Sequence, residues 1–403
     1  YMYGGADRDL MFGGRGWDVM DGGADRDVLQ GDAGVDRIKG GSGNDVIEGG
    51  AQGDILYGDF GDGQHSWIWD GENSQVELMA ESIENGDYFG APHFAGEKLT
   101  CPMPERQYDD GDEGADNIRG GSGNDLIFGE GGNDRLYGDA GDDFMLGGLG
   151  DDVVSGLWGN DILYGNAGSD RMFGGTGNDY MEGNAGGDYM HGGGGRDIMF
   201  GNDGWDKMSG DAGCDLMVGN DGKDFMYGGT DDDVMFGGKV GDEMFGEGGD
   251  DYMEGNHGMD YMSGGAGNDV MLGGTHNDDM YGDAGWDILY GQDGQDNLYG
   301  GAGYDFLDGG ENDDNLYGGF GNDALKGGAG QDNLYGGEGK DVFIIDLVWD
   351  GHSFSSNDGE TLGDVIHDFD VDDDQDVLLY RVTNVGDGLG TTDQGAFEAL
   401  DGG

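Results

Sequence analysis

From Gly111 to Ile344 an apolar residue returns at every ninth position, each time with aspartate two places before it. The stretch divides into 26 nonapeptides without a slip, among them GGSGNDLIF at Gly120, GNAGSDRMF at Gly165 and GDAGWDILY at Gly282. Six more run from Gly4 to Tyr57. In all 32 units position 1 is Gly, position 6 is Asp and position 8 is apolar. Position 4 is Gly in 25 of them; the exceptions are Asp7, Asp25, Gln52, Asp231, Val240, His276 and Asn312. Positions 7 to 9 predict a minimal strand, with position 8 inward and its neighbours outward. The glycine-rich first six positions predict a turn. A turn and a strand make half a coil. Two nonapeptides therefore close a coil of 18 residues, and residues 18 apart stack at about 4.8 Å.

The inward slot is narrow and its occupants change smoothly. Met fills it 13 times in succession, from Met172 to Met280, then Leu from Leu289 to Leu334, and Phe343 closes the series. Flexible Met suits a thin space between two short-stranded sheets. A thioether channel for a soft metal is the alternative, but no Cys or His shares the inward positions. Outward positions repeat as well. DNLYGG occurs at Asp296–Gly301, Asp314–Gly319 and Asp332–Gly337. It stacks Asn297, Asn315 and Asn333 at position 7, and Tyr281, Tyr299, Tyr317 and Tyr335 at position 9. Such ladders stabilise stacked parallel strands; the tyrosines also form a strip for glycan, cell-surface or self contact. Only Thr176, Thr230 and Thr275 occupy position 3, so the Thr ranks of an ice-binding face are not expected.

Charge adds a constraint that periodicity does not. The formal net charge is −70, from 87 acidic and 17 basic residues, with 97 Gly and 3 Pro in 403. Nucleic acid is excluded as a partner, because its phosphates need cations. A turn aspartate that merely caps backbone N–H groups would tolerate Asn or Ser, and neither occurs at position 6. Stacking also sets these carboxylates in like-charge columns, which is unfavourable without counterions. A hard cation that takes 6–8 oxygens, as calcium does, removes the conflict. Cys101 and Cys214 make no disulfide framework, and no apolar run reaches the length of a membrane span.

The pattern Gly-Gly-x-Gly-x-Asp-x-apolar-x resembles the RTX, or hemolysin-type, calcium-binding nonapeptide of secreted bacterial proteins. The resemblance covers 288 of 403 residues. It implies an all-β fold: a right-handed parallel β-roll solenoid of nonapeptides with 18 residues per coil. It also implies calcium ions between successive turns, shared by position-6 aspartates and carbonyls of the glycine-rich loops. The candidate ligands are Asp9, Asp27, Asp45, Asp116, Asp134, Asp152, Asp170, Asp188, Asp206, Asp224, Asp242, Asp260, Asp278, Asp296, Asp314 and Asp332, and, alternating with them along the sequence, Asp18, Asp36, Asp54, Asp125, Asp143, Asp161, Asp179, Asp197, Asp215, Asp233, Asp251, Asp269, Asp287, Asp305, Asp323 and Asp341. Two such columns allow roughly 30 Ca2+ ions. The segment Asp341–Tyr380 resembles the β cap that closes RTX rolls, whose Asp-x-Ile-x-Asp-Phe core falls on Asp364, Ile366, Asp368 and Phe369; Asp364 and Asp368 join the candidate ligands.

Four segments follow: N-terminal repeats 1–58, an insertion 59–110, the main roll 111–344, and a cap with a candidate secretion signal at 345–403. The insertion holds all three prolines, and its Ser74–Asn85 stretch has a helical pattern. The spacing of His65, His93 and Cys101 fits no zinc pattern. No His-Glu-x-x-His motif occurs, and GHSFS at Gly351–Ser355 imitates the lipase elbow without its final Gly. The chain is therefore not expected to be an enzyme. The expected function is that of a calcium-binding structural or adhesive protein, extracellular or at the cell surface, in a surface layer, filament or matrix. The alternative is the C-terminal folding and secretion module of a larger enzyme or toxin. The resemblance also implies type I secretion machinery as a partner and folding on calcium after export.

Overall fold

The computed structural model describes residues 1–59, 114–349, 354–356, 364–369, 376–384 and 392–397. It contains two compact units, Tyr1–Gly192 and Gly193–Gly403. Both are parallel β-solenoids, and no helix occurs among the described residues. The predicted helix at Ser74–Asn85 lies outside them, as do His65, His93 and Cys101.

In the first unit Leu10–Arg15 pairs in parallel with Val28–Ala33, and Val19–Ala24 with Arg37–Ser42. Consecutive strands thus belong to opposite sheets, and each strand pairs with the one 18 residues away. Met11 lies on Leu29, and Met20 on Ile38. The second unit follows the same rule: Met208 lies on Met226, and Met217 on Met235. The position-8 residues, from Met20 to Phe343, are essentially inaccessible to solvent. They form the apolar core, so the methionine run packs the interior, as the narrow slot demands.

The strands are longer than the pattern predicts. Most have six residues, running from position 7 to position 3 of the next unit, and the turn shrinks to positions 4 to 6. The reason is that the chain bends within the strand without leaving its ladder. The register skips position 1 and resumes at position 2, where φ is positive: Leu10, Met11 and Phe12 pair, then Gly14 and Arg15. Position 4 has positive φ too. Among the described residues, all twenty non-glycine residues with positive φ stand at one of these two positions. Most are Asn or Asp, which tolerate the left-handed region best. The seven exceptions to Gly at position 4 are all among them, with φ between 72° and 86°.

The solenoid of the first unit continues across residues 60–113. Val46–Ala51 pairs with Asn117–Ser122, and Ile55–Asp59 with Leu126–Gly131. The break falls inside one nonapeptide. Gly58 stands against Asp116 as the first glycine of an intact unit stands against its own aspartate, and the Gly114 carbonyl faces Gly132 as one position 4 faces the next. Gly58 therefore takes the place of position 1 in the unit that ends at Arg119.

At the C-terminal end of the second unit the parallel stack is terminated by antiparallel pairing. Val342–Trp349 lies on Ala324–Ala329 and carries Val377–Asn384 in parallel. The strands Phe354–Ser356 and Thr392–Phe397 then pair antiparallel with them. Phe369 meets Phe343 edge-on at 5.9 Å and covers the last core ring. These elements form the expected β cap, and Phe354 and Ser355 of GHSFS lie in a hairpin strand rather than at a strand-to-helix elbow.

Two substitutions test the backbone argument. Val240 is β-branched and held at φ 73°, where a non-glycine residue costs roughly 1–2 kcal/mol. Val240→Gly is expected to raise stability by about 1 kcal/mol. A Cβ on Gly309 would strike Asp314 Oδ2 and the Gly327 carbonyl, so Gly309→Ala is expected to lose about 1–3 kcal/mol. Urea unfolding reads both; equal midpoints for the two variants would contradict the argument.

Candidate metal centre

Within each unit the position-6 aspartates after the first coil are held by the coil before, as three examples show. The amide N–H of Asp27 donates to Oδ1 of Asp45 at 2.8 Å, that of Asp36 to Asp54 at 2.7 Å, and that of Asp296 to Asp314 at 2.9 Å. The contact bridges the insertion as well, from Asp45 to Asp116 at 2.6 Å and from Asp54 to Asp125 at 2.5 Å. From Asp27 to Asp341 these residues are no more than 3% exposed; Asp9 and Asp18, in the first coil, are half-buried.

The second carboxylate oxygen is the unusual one. In Asp27, Asp45, Asp125, Asp161, Asp242, Asp278 and Asp314, Oδ2 is buried and accepts no hydrogen bond. It lies where the Cβ of the position-1 residue would be. A Cβ on Gly22, Gly40 or Gly120 would collide with the Oδ2 of Asp27, Asp45 or Asp125 respectively. That is why position 1 admits only Gly, although its φ is ordinary. Backbone carbonyls run in parallel files: a Cβ on Gly319 would meet the Gly301 oxygen, and one on Gly321 the Gly303 oxygen. Each turn thus brings a buried carboxylate oxygen and carbonyl oxygens of positions 2 and 4 to one edge of the coil.

Burial governs the electrostatics. It pushes the carboxyl of Asp125 up to about 9, with Asp143 raising it further and the Asp54 amide opposing. Asp314 is likewise pushed up to about 9 by burial, against the Asp296 amide, with the charges of Asp296 and Asp332 adding to the rise. Asp161, Asp242 and Asp278 reach about 8 for the same leading reason. Asp45 reaches about 6. These are stacks of desolvated like charges, each with an oxygen that no donor satisfies.

Such a donor set fits calcium. All the oxygens are hard, and their number is made up by backbone carbonyls. No group of three His, Cys, Asp or Glu side chains that could hold a metal by itself occurs among the described residues, so a site here depends on those carbonyls.

The model of the RTX calcium-binding nonapeptide repeat (4 copies) matches residues 1–29, 30–64, 110–145, 146–181, 182–217, 215–243, 236–271, 272–307 and 308–343. The chain belongs to this family. It is an RTX repeat protein over well more than half its length, and it binds calcium. A search of curated proteins finds no match. Among solved structures, it is similar to the crystal structure of a hyperactive, Ca2+-dependent, β-helical antifreeze protein from an Antarctic bacterium. The TM-score is 0.35 and the identity 16%, over 86% of each chain.

The RTX columns gather the aspartates of positions 9 to 341 within each unit, and the cap extends both. Asp364 accepts the Asp332 amide at 3.4 Å, and Val365 and Ile366 lie on Asn333 and Leu334. Asp368 is placed differently. Its two oxygens accept the N–H groups of Gly336 and Gly337, both at 2.9 Å, so it caps the last glycine pair outside the column. Asp376 was missed by sequence reasoning. It is buried, accepts the Asp341 amide at 3.0 Å, and ends the other column. The stretch Asp376-Val377-Leu378 repeats the Asp-x-apolar signal, but 35 residues separate it from Asp341, and an 18-residue period does not find it.

The raised carboxyl values set a pH response with a definite sign. Protonated aspartates stabilise the ion-free roll fully below their unfolded value of 3.8, and that contribution is lost as pH rises through about 6 to 9. In excess chelator, the β signal in circular dichroism should persist near pH 4 and fall across that window, while calcium uptake releases protons. A flat response from pH 4 to pH 9 would contradict the buried-carboxylate account.

Proposed function

We propose that this chain is a structural or adhesive protein of an extracellular surface layer, filament or matrix, which stays open until it meets calcium outside the cell. The observation that carries the reading is the buried Oδ2 atoms that accept no hydrogen bond, as in Asp27, Asp45, Asp125, Asp161, Asp242, Asp278 and Asp314. The ligands assigned are the position-6 aspartates of both columns, together with Asp364 and Asp376. Carbonyls of positions 2 and 4 complete the shell, and roughly 30 sites follow from one ion between adjacent turns.

When bound, calcium supplies the positive charge that lets carboxylates of successive coils lie side by side in a desolvated edge. The chain's own residues do the rest. The Asp N–H of each coil orients the carboxylate of the next, and the bare position-1 glycine admits its second oxygen. Where calcium is scarce, 87 acidic residues against 17 basic ones repel, which suits passage through a type I exporter in an open state. Extracellular modules work with weak calcium sites, of order 10⁻⁴–10⁻³ M, so exposure to the outside medium acts as the folding signal.

Ligand that binds only the folded state stabilises it by mass action. Exhaustive chelation at neutral pH is expected to turn the β-rich protein into an expanded coil, and calcium to restore it. Magnesium should substitute poorly, because it demands a tight octahedron. Asp314→Ala should shift the calcium midpoint of folding upward by about threefold or more, since it leaves neighbouring turns short of an oxygen. Circular dichroism with size-exclusion chromatography reads all three. A chain that keeps its β signal and size at neutral pH without calcium would sink the proposal.

A further inference from the structure

In the second unit four tyrosines form an unbroken ring stack on one outer sheet face. Tyr281, Tyr299, Tyr317 and Tyr335 have centroids 4.7–4.8 Å apart and planes within 9° of parallel. His367, from the cap, ends the stack at 4.2 Å and 3°. A second ladder holds the coils in register beside it. The Asn297 amide donates to Asp279 at 2.7 Å, Asn315 to Asn297 at 2.9 Å, and Asn333 to Asn315 at 3.0 Å.

Each ring covers its neighbour's face, so the half-buried ladder presents ring edges and hydroxyls. A sugar ring that needs an open aromatic face to stack on finds the faces between these rings already taken. Gly301, Gly319 and Gly337 at position 2 of the same strands carry no side chain to screen the edges.

We propose that this ladder is a modification site, at which a one-electron oxidant of the haem peroxidase and hydrogen peroxide class joins tyrosines of successive coils through their ortho carbons. Each phenol gives up one electron and its hydroxyl proton. The two phenoxyl radicals form one carbon–carbon bond. The hydrogen on each joined carbon moves to that ring's oxygen as aromaticity returns. Two phenols and one hydrogen peroxide give one linked pair and two waters. The stack keeps the partners at contact distance, which makes the coupling effectively unimolecular. Other ring pairs are less suited. Tyr164 and Tyr180 are 6.0 Å apart and tilted by 54°, and the exposed Tyr304 packs edge-on against Trp286. A link ties residues 18 apart by a covalent bond that needs no ion, so the coils from Tyr281 to Tyr335 stay closed after calcium is withdrawn.

The full chain, folded in calcium and dilute, is treated with a haem peroxidase and limiting hydrogen peroxide, then digested and analysed by mass spectrometry. The expected product is a monomer with links, each lacking two hydrogens, between Tyr281 and Tyr299, Tyr299 and Tyr317, or Tyr317 and Tyr335. In urea the preference for partners 18 apart should vanish. The double variant Tyr299→Phe with Tyr335→Phe keeps the stack, separates its remaining phenols by two coils and leaves Tyr281 only the tilted Tyr261 at 5.3 Å and 38°, and should lower dityrosine fluorescence about tenfold. Links spread over Tyr290 and Tyr304, links mainly between molecules, or an unchanged yield in the double variant would overturn the proposal.

Discussion

A carboxylate oxygen lodged against the α-carbon of a glycine is the contact on which the rest of this protein depends. It fixes position 1 as Gly because Oδ2 and the next coil's carbonyl take the place of a Cβ, as at Gly309 beside Asp314 and Gly327. It fixes position 6 as Asp, since a Glu would carry the oxygens past the backbone N–H that orients them. Repeated in each unit, it also creates the problem the protein has to solve. A buried ionised group without a partner costs several kcal/mol, and here such groups are stacked. The apolar core is one side chain per nine residues, too thin to absorb that penalty together with the ordering of so many glycines. Surface ion pairs do little to offset that penalty. Lys326–Asp308 and Lys223–Glu243, both at 2.7 Å, lie on outer faces, where a pair contributes little.

The same contact explains how the solenoid tolerates irregular connections. A coil is accepted if its aspartate can take the amide of the coil before and its position-8 side chain can reach the core. Sequence distance does not enter. Asp116 follows Asp45 after 71 residues, and Asp376 follows Asp341 after 35, with hydrogen bonds like those of an 18-residue step. The insertion and the cap are therefore two uses of one rule, a long excursion that returns to the next place in the column. The cap adds antiparallel strands and Phe369 over Phe343, so the stack ends on an edge unlike the one it grew from.

The outer faces are free of these constraints and carry what distinguishes one coil from another. The aromatic ladder from Tyr281 to His367 is confined to coils next to the cap. Elsewhere parallel stacking is limited to single pairs, Tyr57 on Phe128 at 11° and Tyr227 on Phe245 at 10°, and other neighbours tilt, as Phe144 does on Tyr164 at 48°. A run of parallel rings needs an aromatic residue at the same place in successive coils, and the DNLYGG repeats, the coil beneath them and His367 provide that.

The period by itself determined the coil, the two sheets, the buried methionine run and the aspartate columns, because in a stacked fold a residue's neighbours lie one period away. Family resemblance supplied the cation and the cap. Three things needed the tertiary structure. Strand length did, because a positive φ at position 2 bends the chain without breaking its ladder, and the Gly, Asn and Asp mostly found there read equally well as part of a turn. The register across residues 60–113 did, because sequence distance does not show which glycine opens the unit until Gly58 is seen against Asp116. So did the roles of Asp368 and Asp376. Both are acidic residues in a cap without a period, and only the position of the backbone N–H groups makes one an end cap of glycine amides and the other the last carboxylate of a column.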